Sequence, residues 1–136
     1  MSVRRLRIAE AAALLGVSTD TVRRRLAERD IETSPDAAGV ATIAGEEVAR
    51  LAEEEASDSH LADLGPLAPA SVRNRLRGIV TRVLRDGVMA QVEVQAGPYR
   101  LVSLISREAA DELELAPGSL VAATVKATNL GIEGIG

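Results

Sequence analysis

The amino-acid sequence predicts an α+β protein, with a small helical domain first and a small, strongly curved β-barrel second. Strong helix formers fill residues 8–15, and Gly16 follows at a position typical of a helix stop. From residue 76 onward, short β-rich runs are separated by tight-turn signals such as Asp86–Gly87. We therefore predict a helical domain over residues 1–55, a linker over 56–70 and a barrel over 71–136.

The N-terminal pattern is typical of a winged helix-turn-helix. Ser18 can cap a second helix over residues 19–28, and residues 31–43 favour a short hairpin around the stretch PDAAG. A third helix follows in the stretch GEEVARLAEEE. The second helix would present polar and basic side chains to a DNA major groove: Ser18, Thr19, Arg23 and Arg24. The alternative is that its arginine cluster is simply a solvated helix face.

The N-terminal domain, residues 1–55, is called the head below. It resembles the small winged helix-turn-helix domains of the MerR-like and excisionase-like family, which implies double-stranded DNA as a partner. The hairpin wing of that family is usually basic. Here the wing contains Glu32 and Asp36 and neither lysine nor arginine. Because phosphate contacts supply most of the affinity for DNA, this departure predicts weak binding by a single head.

Composition excludes several classes of function. The chain has no cysteine and a single histidine, His60, so disulfides, thiolate metal sites and a coordinated metal cation are not expected. With Tyr99 as its one aromatic residue, base-stacking surfaces are nearly excluded. The chain has no cysteine, no usable histidine and no phosphate-cradling glycine loop, so an enzyme is not expected. Neither a membrane span nor a signal-peptide pattern is seen, so we predict a cytoplasmic protein.

The C-terminal elements follow in order after the acidic, then Pro- and Ala-rich, linker. Strands are predicted in RGIVTRVL, in the alternating stretch VMAQVEVQ, in YRLVSLI and in SLVAATVKA. Ser106 can cap one short helix that runs to Leu113. Four strands, one helix and tight turns predict a barrel of the oligonucleotide/oligosaccharide-binding (OB) kind.

Three motifs in this half carry a second resemblance: SVRN at 71–74, LISREAADELEL at 104–115 and VKAT at 125–128. With these motifs the chain resembles Mop domains, the molybdate-binding members of the TOBE superfamily, over about residues 70–134. The resemblance implies molybdate or tungstate as the bound ligand. The positions that match the family's oxyanion shell are Ser71, Arg73, Ser106 and Lys126, with backbone amides near Ala127 and Thr128.

These residue types fit a tetrahedral dianion, because they offer two cations and several donors and no carboxylate. The resemblance also implies a homo-oligomer, a dimer or a hexameric trimer of dimers, with each ligand between subunits. We therefore predict an oxyanion-responsive transcriptional regulator. The alternative is an intracellular molybdate-storage protein whose head is an interaction module.

Overall fold

The computed structural model describes residues 4–136, and the chain divides into two compact units between Ser59 and His60. The first unit combines three helices with a three-stranded antiparallel sheet in the order β1-β3-β2. Its elements are β1 (Arg5–Arg7), α1 (Ile8–Leu15), α2 (Thr19–Glu28), β2 (Ser34–Pro35), β3 (Ala41–Ala44) and α3 (Gly45–Ser57).

The first two of the three predicted helices of the head begin and end where the sequence indicates. Gly16 adopts a left-handed conformation with φ of 69° just after α1, as a helix-ending glycine does. The Ser18 hydroxyl oxygen accepts a hydrogen bond from the amide of Thr21 and caps α2. The core between these helices, α3 and β3 is aliphatic throughout and consists of Ala11, Ala12, Val22, Leu26, Ile43, Val48 and Leu51.

Ion pairs join α2 to α3 on one side of this core. The Nε of Arg25 donates to the Glu55 carboxylate at 2.8 Å, and the pKa of Arg25 is raised chiefly by that hydrogen bond. Arg29 pairs with Glu54 one position along α3. These two arginines therefore stabilise the head, whereas their neighbours in the same basic stretch project into solvent.

The second unit contains a four-stranded antiparallel sheet in the order β6-β5-β4-β7. Val80, Val92 and Val94 face a core that α4 and Leu115 cover. A register shift at Thr81 bends β4, as a β-bulge does. The strands are β4 (Asn74–Arg85), β5 (Met89–Ala96), β6 (Tyr99–Ser106) and β7 (Leu120–Val125), with α4 (Arg107–Glu112) and short 3-10 turns at Leu61–Leu64 and Ala127–Asn129.

The predicted strongly curved, OB-like β-barrel is confirmed in part, because the sheet of one chain is an open, curled half-barrel. Within residues 4–136, β6 and β7 are both edge strands and do not pair with each other. An OB-type barrel uses five strands, and four strands do not reach around the core. The open side leaves an apolar cleft of about 810 Å³ between the two edges.

The segment predicted as a linker is partly held by β4. Arg77 donates to the carbonyl oxygen of Gly65 through Nε at 3.2 Å and through Nη2 at 3.0 Å. Arg75 donates to the carbonyl oxygen of Ala68 at 2.5 Å. Arg75 and Arg77 therefore fasten residues 65–68 to the sheet.

Each unit contains a turn whose aspartate caps backbone amides. The carboxylate of Asp36 accepts from the amides of Ala38 at 2.9 Å and Val40 at 3.0 Å and pairs with Arg7 at 2.8 Å. The hydrogen bond from Val40, followed by the contacts with Arg7 and Ala38, lowers the pKa of Asp36 despite a partial loss of solvation. The amide of Met89, then the amide of Val88, lowers the pKa of Asp86.

These lowered pKa values predict acid-sensitive stability. A carboxyl group whose pKa is lower in the folded state stabilises the fold above its unfolded pKa, about 3.9 for aspartate, and loses that contribution as the pH falls through the folded pKa. We expect Asp36→Asn to flatten the dependence of the first unit's melting temperature on pH below about pH 4. Asp86→Asn should do the same for the second unit.

Thermal unfolding followed from about pH 2 to about pH 7, which includes the range in which aspartates titrate, measures how the melting temperature depends on pH. Asp58→Asn is the matched control, because Asp58 is exposed and its side chain forms no hydrogen bond or ion pair within residues 4–136. Equal acid sensitivity of the wild type and both turn variants would contradict the expectation.

Candidate functional site

Arg73 and Lys126 leave the C-terminal sheet at the same end. Asn74 and Val125 are Cα partners in the β4–β7 ladder and form its last pair. Arg73 immediately precedes Asn74, and Lys126 immediately follows Val125. The chain thus brings its two predicted ligand cations to neighbouring positions across two antiparallel strands.

Among the described residues, no carboxylate lies within ion-pair distance of either cation. Both side chains belong to exposed residues, and neither takes part in an ion pair or hydrogen bond within the described part of the chain. The segments 65–85 and 115–132, which supply β4, β7 and their extensions, contain no aspartate or glutamate. Like charges held together without a counter-ion create a positive potential that favours an anion.

Three further predicted positions lie at this end of the sheet. Ser71 is exposed, two residues before Arg73. Ala127 and Thr128 begin the 3-10 turn that follows Lys126, and both are exposed. The predicted strand SLVAATVKA is shorter than expected, because β7 ends at Val125 and the chain turns at Lys126.

Ser106, the sixth predicted position, lies elsewhere. It ends β6 opposite Met89, beside the hairpin that joins β4 to β5. The 12 residues of β4 separate this hairpin from Arg73, a path of roughly 40 Å along the strand at about 3.3 Å per residue. Its hydroxyl oxygen also accepts a hydrogen bond from the amide of Ala109 at 3.0 Å and caps α4. One chain therefore does not assemble all six positions.

The apolar cleft of the half-barrel extends to the Arg73 end of the sheet. Its walls are side chains of β4, β6 and β7 together with residues after α4, among them Leu76, Leu101, Ile105, Leu115 and Val121. Arg73, Asn74 and Arg75 also line it. Aliphatic surface of this extent next to a basic end is typical of a protein–protein contact.

Asn74 is a residue that the sequence analysis did not single out. Its Nδ2 donates to the carbonyl oxygen of Val125 at 3.1 Å. The available signals were its place in the SVRN motif and the general depletion of asparagine in strands. The side chain ties together the two strand ends that bear Arg73 and Lys126.

The residues predicted to contact DNA lie along one helix of the first unit. Arg23 and Arg24 are exposed on α2 and make only long ion pairs, with Asp20 at 3.4 Å and with Glu28 at 3.9 Å. Thr19 begins α2, and the Ser18 side chain caps it. In the wing, the negative charge of Asp36 is matched by Arg7.

Two further features of residues 4–136 concern metal sites and helix length. No group of three or more His, Asp or Glu side chains is arranged to hold a metal ion there. In the same residues, every helix is too short or too polar to cross a membrane.

The family match falls in the C-terminal half of the chain. Residues 70–132 match the family model of the TOBE domain. A solved structure of a molybdate-binding protein from Sporomusa ovata is 31% identical, with a TM-score of 0.48, and the match covers 49% of this chain and 100% of that one. MopII from Clostridium pasteurianum, solved in an apo form, is 33% identical, with a TM-score of 0.46. That match covers 48% of this chain and 100% of MopII.

No curated protein matches the chain. The matched TOBE domain family is a family of non-enzymatic binding domains, which confirms the prediction that this chain is not an enzyme.

Proposed function

This chain belongs to the TOBE domain family through residues 70–132, and we propose that it binds molybdate or tungstate at the end of the sheet that carries Arg73 and Lys126. The observation that carries the proposal is the pair of neighbouring cations without an acidic partner among the described residues. The printed description of the Sporomusa ovata relative as a molybdate-binding protein supports the choice of ligand.

The chemistry of the ligand fits the residues. Molybdate and tungstate are tetrahedral dianions without a proton at neutral pH, so a binding site should donate hydrogen bonds and contain no carboxylate. Arg73 and Lys126 balance the two negative charges, and the Ser71 hydroxyl donates a further hydrogen bond. The backbone amides of Ala127 and Thr128 complete the donor set on the Lys126 side.

A second copy of the chain completes the assembly in this proposal. Ser106 is at the far end of the sheet from Arg73, so its hydroxyl reaches the oxyanion site of another subunit and not that of its own. The open apolar cleft supports such contacts, because aliphatic surface between two edge strands gains stability when a partner covers it. We therefore propose a homo-oligomer, a dimer or a trimer of dimers, with the anions between subunits.

Isothermal titration of the full chain with molybdate tests ligand binding. We expect saturable binding at neutral pH, with sulfate, a smaller dianion, as the competitor that binds less well. Tungstate should bind similarly to molybdate, because its size and charge are nearly the same. A titration without saturable heat, together with no rise in melting temperature on adding molybdate, would reject the proposal.

We also propose that the head makes the protein a cytoplasmic, oxyanion-responsive DNA-binding regulator. Arg23 and Arg24 are exposed and only loosely paired, so both are available to phosphates. Asp36, one of the two acidic residues of the wing, is paired with Arg7 and repels phosphate less than an unpaired carboxylate would. Anion-linked assembly would set the spacing of two heads and so their combined affinity for paired half-sites.

A DNA-retardation assay with the double variant Arg23→Ala/Arg24→Ala tests this reading. Loss of two phosphate contacts should weaken DNA binding about tenfold or more. It should also make the slope of the logarithm of the binding constant against the logarithm of the salt concentration less steep by about two. Arg82→Ala is the matched control, since it removes an exposed arginine of the second unit that has no ion pair within residues 4–136.

The storage alternative predicts a different result. A molybdate reservoir with an interaction module as its head would bind several anions per assembly and would not retain DNA even at low salt. Retention that is equal for the wild type and the double variant would also contradict a DNA-reading role for α2.

A further inference from the structure

The amide side chain of Asn74 bridges the two strand ends that carry the ligand cations. Its Nδ2 lies 3.1 Å from the carbonyl oxygen of Val125, and the two residues are Cα partners at the last pair of the β4–β7 ladder. Asn74 is half-buried, so water competes less for this bond than for one on an open surface.

The position of this bond has a consequence for Lys126. The Val125 carbonyl, which accepts this bond, belongs to the same planar peptide group as the amide nitrogen of Lys126. Holding its oxygen therefore fixes the peptide plane at the start of Lys126. Beyond this pair the sheet ends, and Arg73 and Lys126 repel each other. A terminal ladder pair under such repulsion would fray unless a further bond held it.

We propose that Asn74 is a positioning residue of the oxyanion site: its carboxamide locks the end of β7 to β4 and presents Lys126 next to Arg73. This inference rests on the proposed oxyanion binding. Asn74 is not assigned a contact with the anion itself. Its effect on the ligand passes through Lys126.

An amide is the suitable side chain here for an electrostatic reason. A carboxylate of the same shape could not donate to the Val125 carbonyl at neutral pH and would add a negative charge beside a site for a dianion. An amide donates the bond and stays neutral, so it orders the strand ends without reducing the positive potential of the site.

The test compares molybdate affinity in variants of the full chain. Asn74→Ala should raise the dissociation constant about tenfold, an effect of the size expected when one hydrogen bond is lost. Gln95→Ala is the matched control, because Gln95 makes an equivalent amide-to-carbonyl bond, to Gly97 at 2.9 Å, at the turn between β5 and β6. The control should change the affinity less than twofold, while the melting temperatures without ligand report how far each variant is destabilised.

A double-mutant cycle with Lys126→Gln separates positioning from general structural damage. If Asn74 acts through Lys126, Asn74→Ala should cost less than twofold in affinity when Lys126 is already glutamine. An equal, roughly tenfold loss in both backgrounds would overturn the inference, and so would an Asn74→Ala variant that binds molybdate as tightly as the wild type. Asn74→Ser provides the same comparison if the alanine variant does not fold.

The failure of this inference differs from failure of the proposed function. A wild-type chain that does not bind molybdate rejects the oxyanion site itself. A wild-type chain that binds, with Asn74→Ala indistinguishable from it, rejects only the role of Asn74.

Discussion

Replacing Arg73 or Lys126 by glutamine is expected to weaken molybdate binding at least about a hundredfold. Each cation faces a dianion at close range, and a charge pair near a protein surface is worth up to about 4 kcal/mol at 4 Å for each unit of negative charge. Part of this energy is offset by the desolvation of the ions, which leaves about 3 kcal/mol, or about a hundredfold in affinity. Glutamine can still donate hydrogen bonds but carries no charge, so the loss of molybdate affinity measures the contribution of the positive charge.

Titration with molybdate measures this effect, with Arg82→Gln as the control for a general loss of positive charge. Arg82 lies in the middle of β4 opposite Glu93, away from the Arg73 end of the strand. The control should bind nearly as well as the wild type. Affinities of Arg73→Gln and Lys126→Gln within threefold of the wild type would contradict the assignment of the site.

The second large effect is expected from Gly78→Ala, which should unfold or strongly destabilise the second unit alone. Gly78 is buried in β4, where a Cβ atom would lie 2.7 Å from the carbonyl oxygen of Gln95 and 2.7 Å from Cγ1 of Val94. A backbone oxygen cannot rotate away, so the strands must separate. Overpacking of this kind costs about 3 kcal/mol, a large part of the stability of a small domain.

Calorimetry should resolve the two units, because they have separate cores. We expect the transition of the second unit to fall by ten degrees or more, at about 4–8 °C for each kcal/mol in a domain of this size. Molybdate binding should fall with it, while the first unit melts as before. Gly87→Ala is the control, since nothing lies within 4 Å of a Cβ atom there. Equal transitions for both variants would show that β4 and β5 do not approach closely at Gly78.

Local patterns predicted α1 and α2 of the head well, since a capping residue marks the end of the first and the start of the second. Gly16 and Ser18 fix the end of α1 and the start of α2 by hydrogen bonds made within a few residues. The strand β1 was not predicted, because three residues carry little pattern and its existence depends on pairing with β3, more than thirty residues away. Long-range pairing of this kind leaves no local signal.

The same distinction explains the errors in the second unit. Alternation placed Ala90, Val92 and Val94 correctly in the core, but Val88, on the same side, is 74% exposed because β5 begins only at Met89. Leu113, to which the predicted helix runs, is exposed, and the leucine that is buried after α4 is Leu115. A helix of six residues ends before Leu113, so helical periodicity does not apply to that position.

The candidate site was predictable as a set of residues but not as a geometry. The motifs around Arg73 and Lys126 were visible in sequence, whereas their meeting at one strand end follows from the β4–β7 register. Asn74 was overlooked because its function depends on a carbonyl fifty-one positions away. Arg75 and Arg77 alternate with Arg73, yet they hold the preceding segment, which only the fold reveals.

The central claim is that adjoining subunits together enclose a tetrahedral dianion between Arg73 and Lys126. Native mass spectrometry of the full chain with molybdate tests it most directly, because it counts subunits and anions in one spectrum. We predict an assembly with an even number of chains that gains the mass of several molybdates, and loses that gain in the Arg73→Gln variant. A monomer, with or without bound anion, or an assembly whose mass does not change when molybdate is added, would contradict the claim.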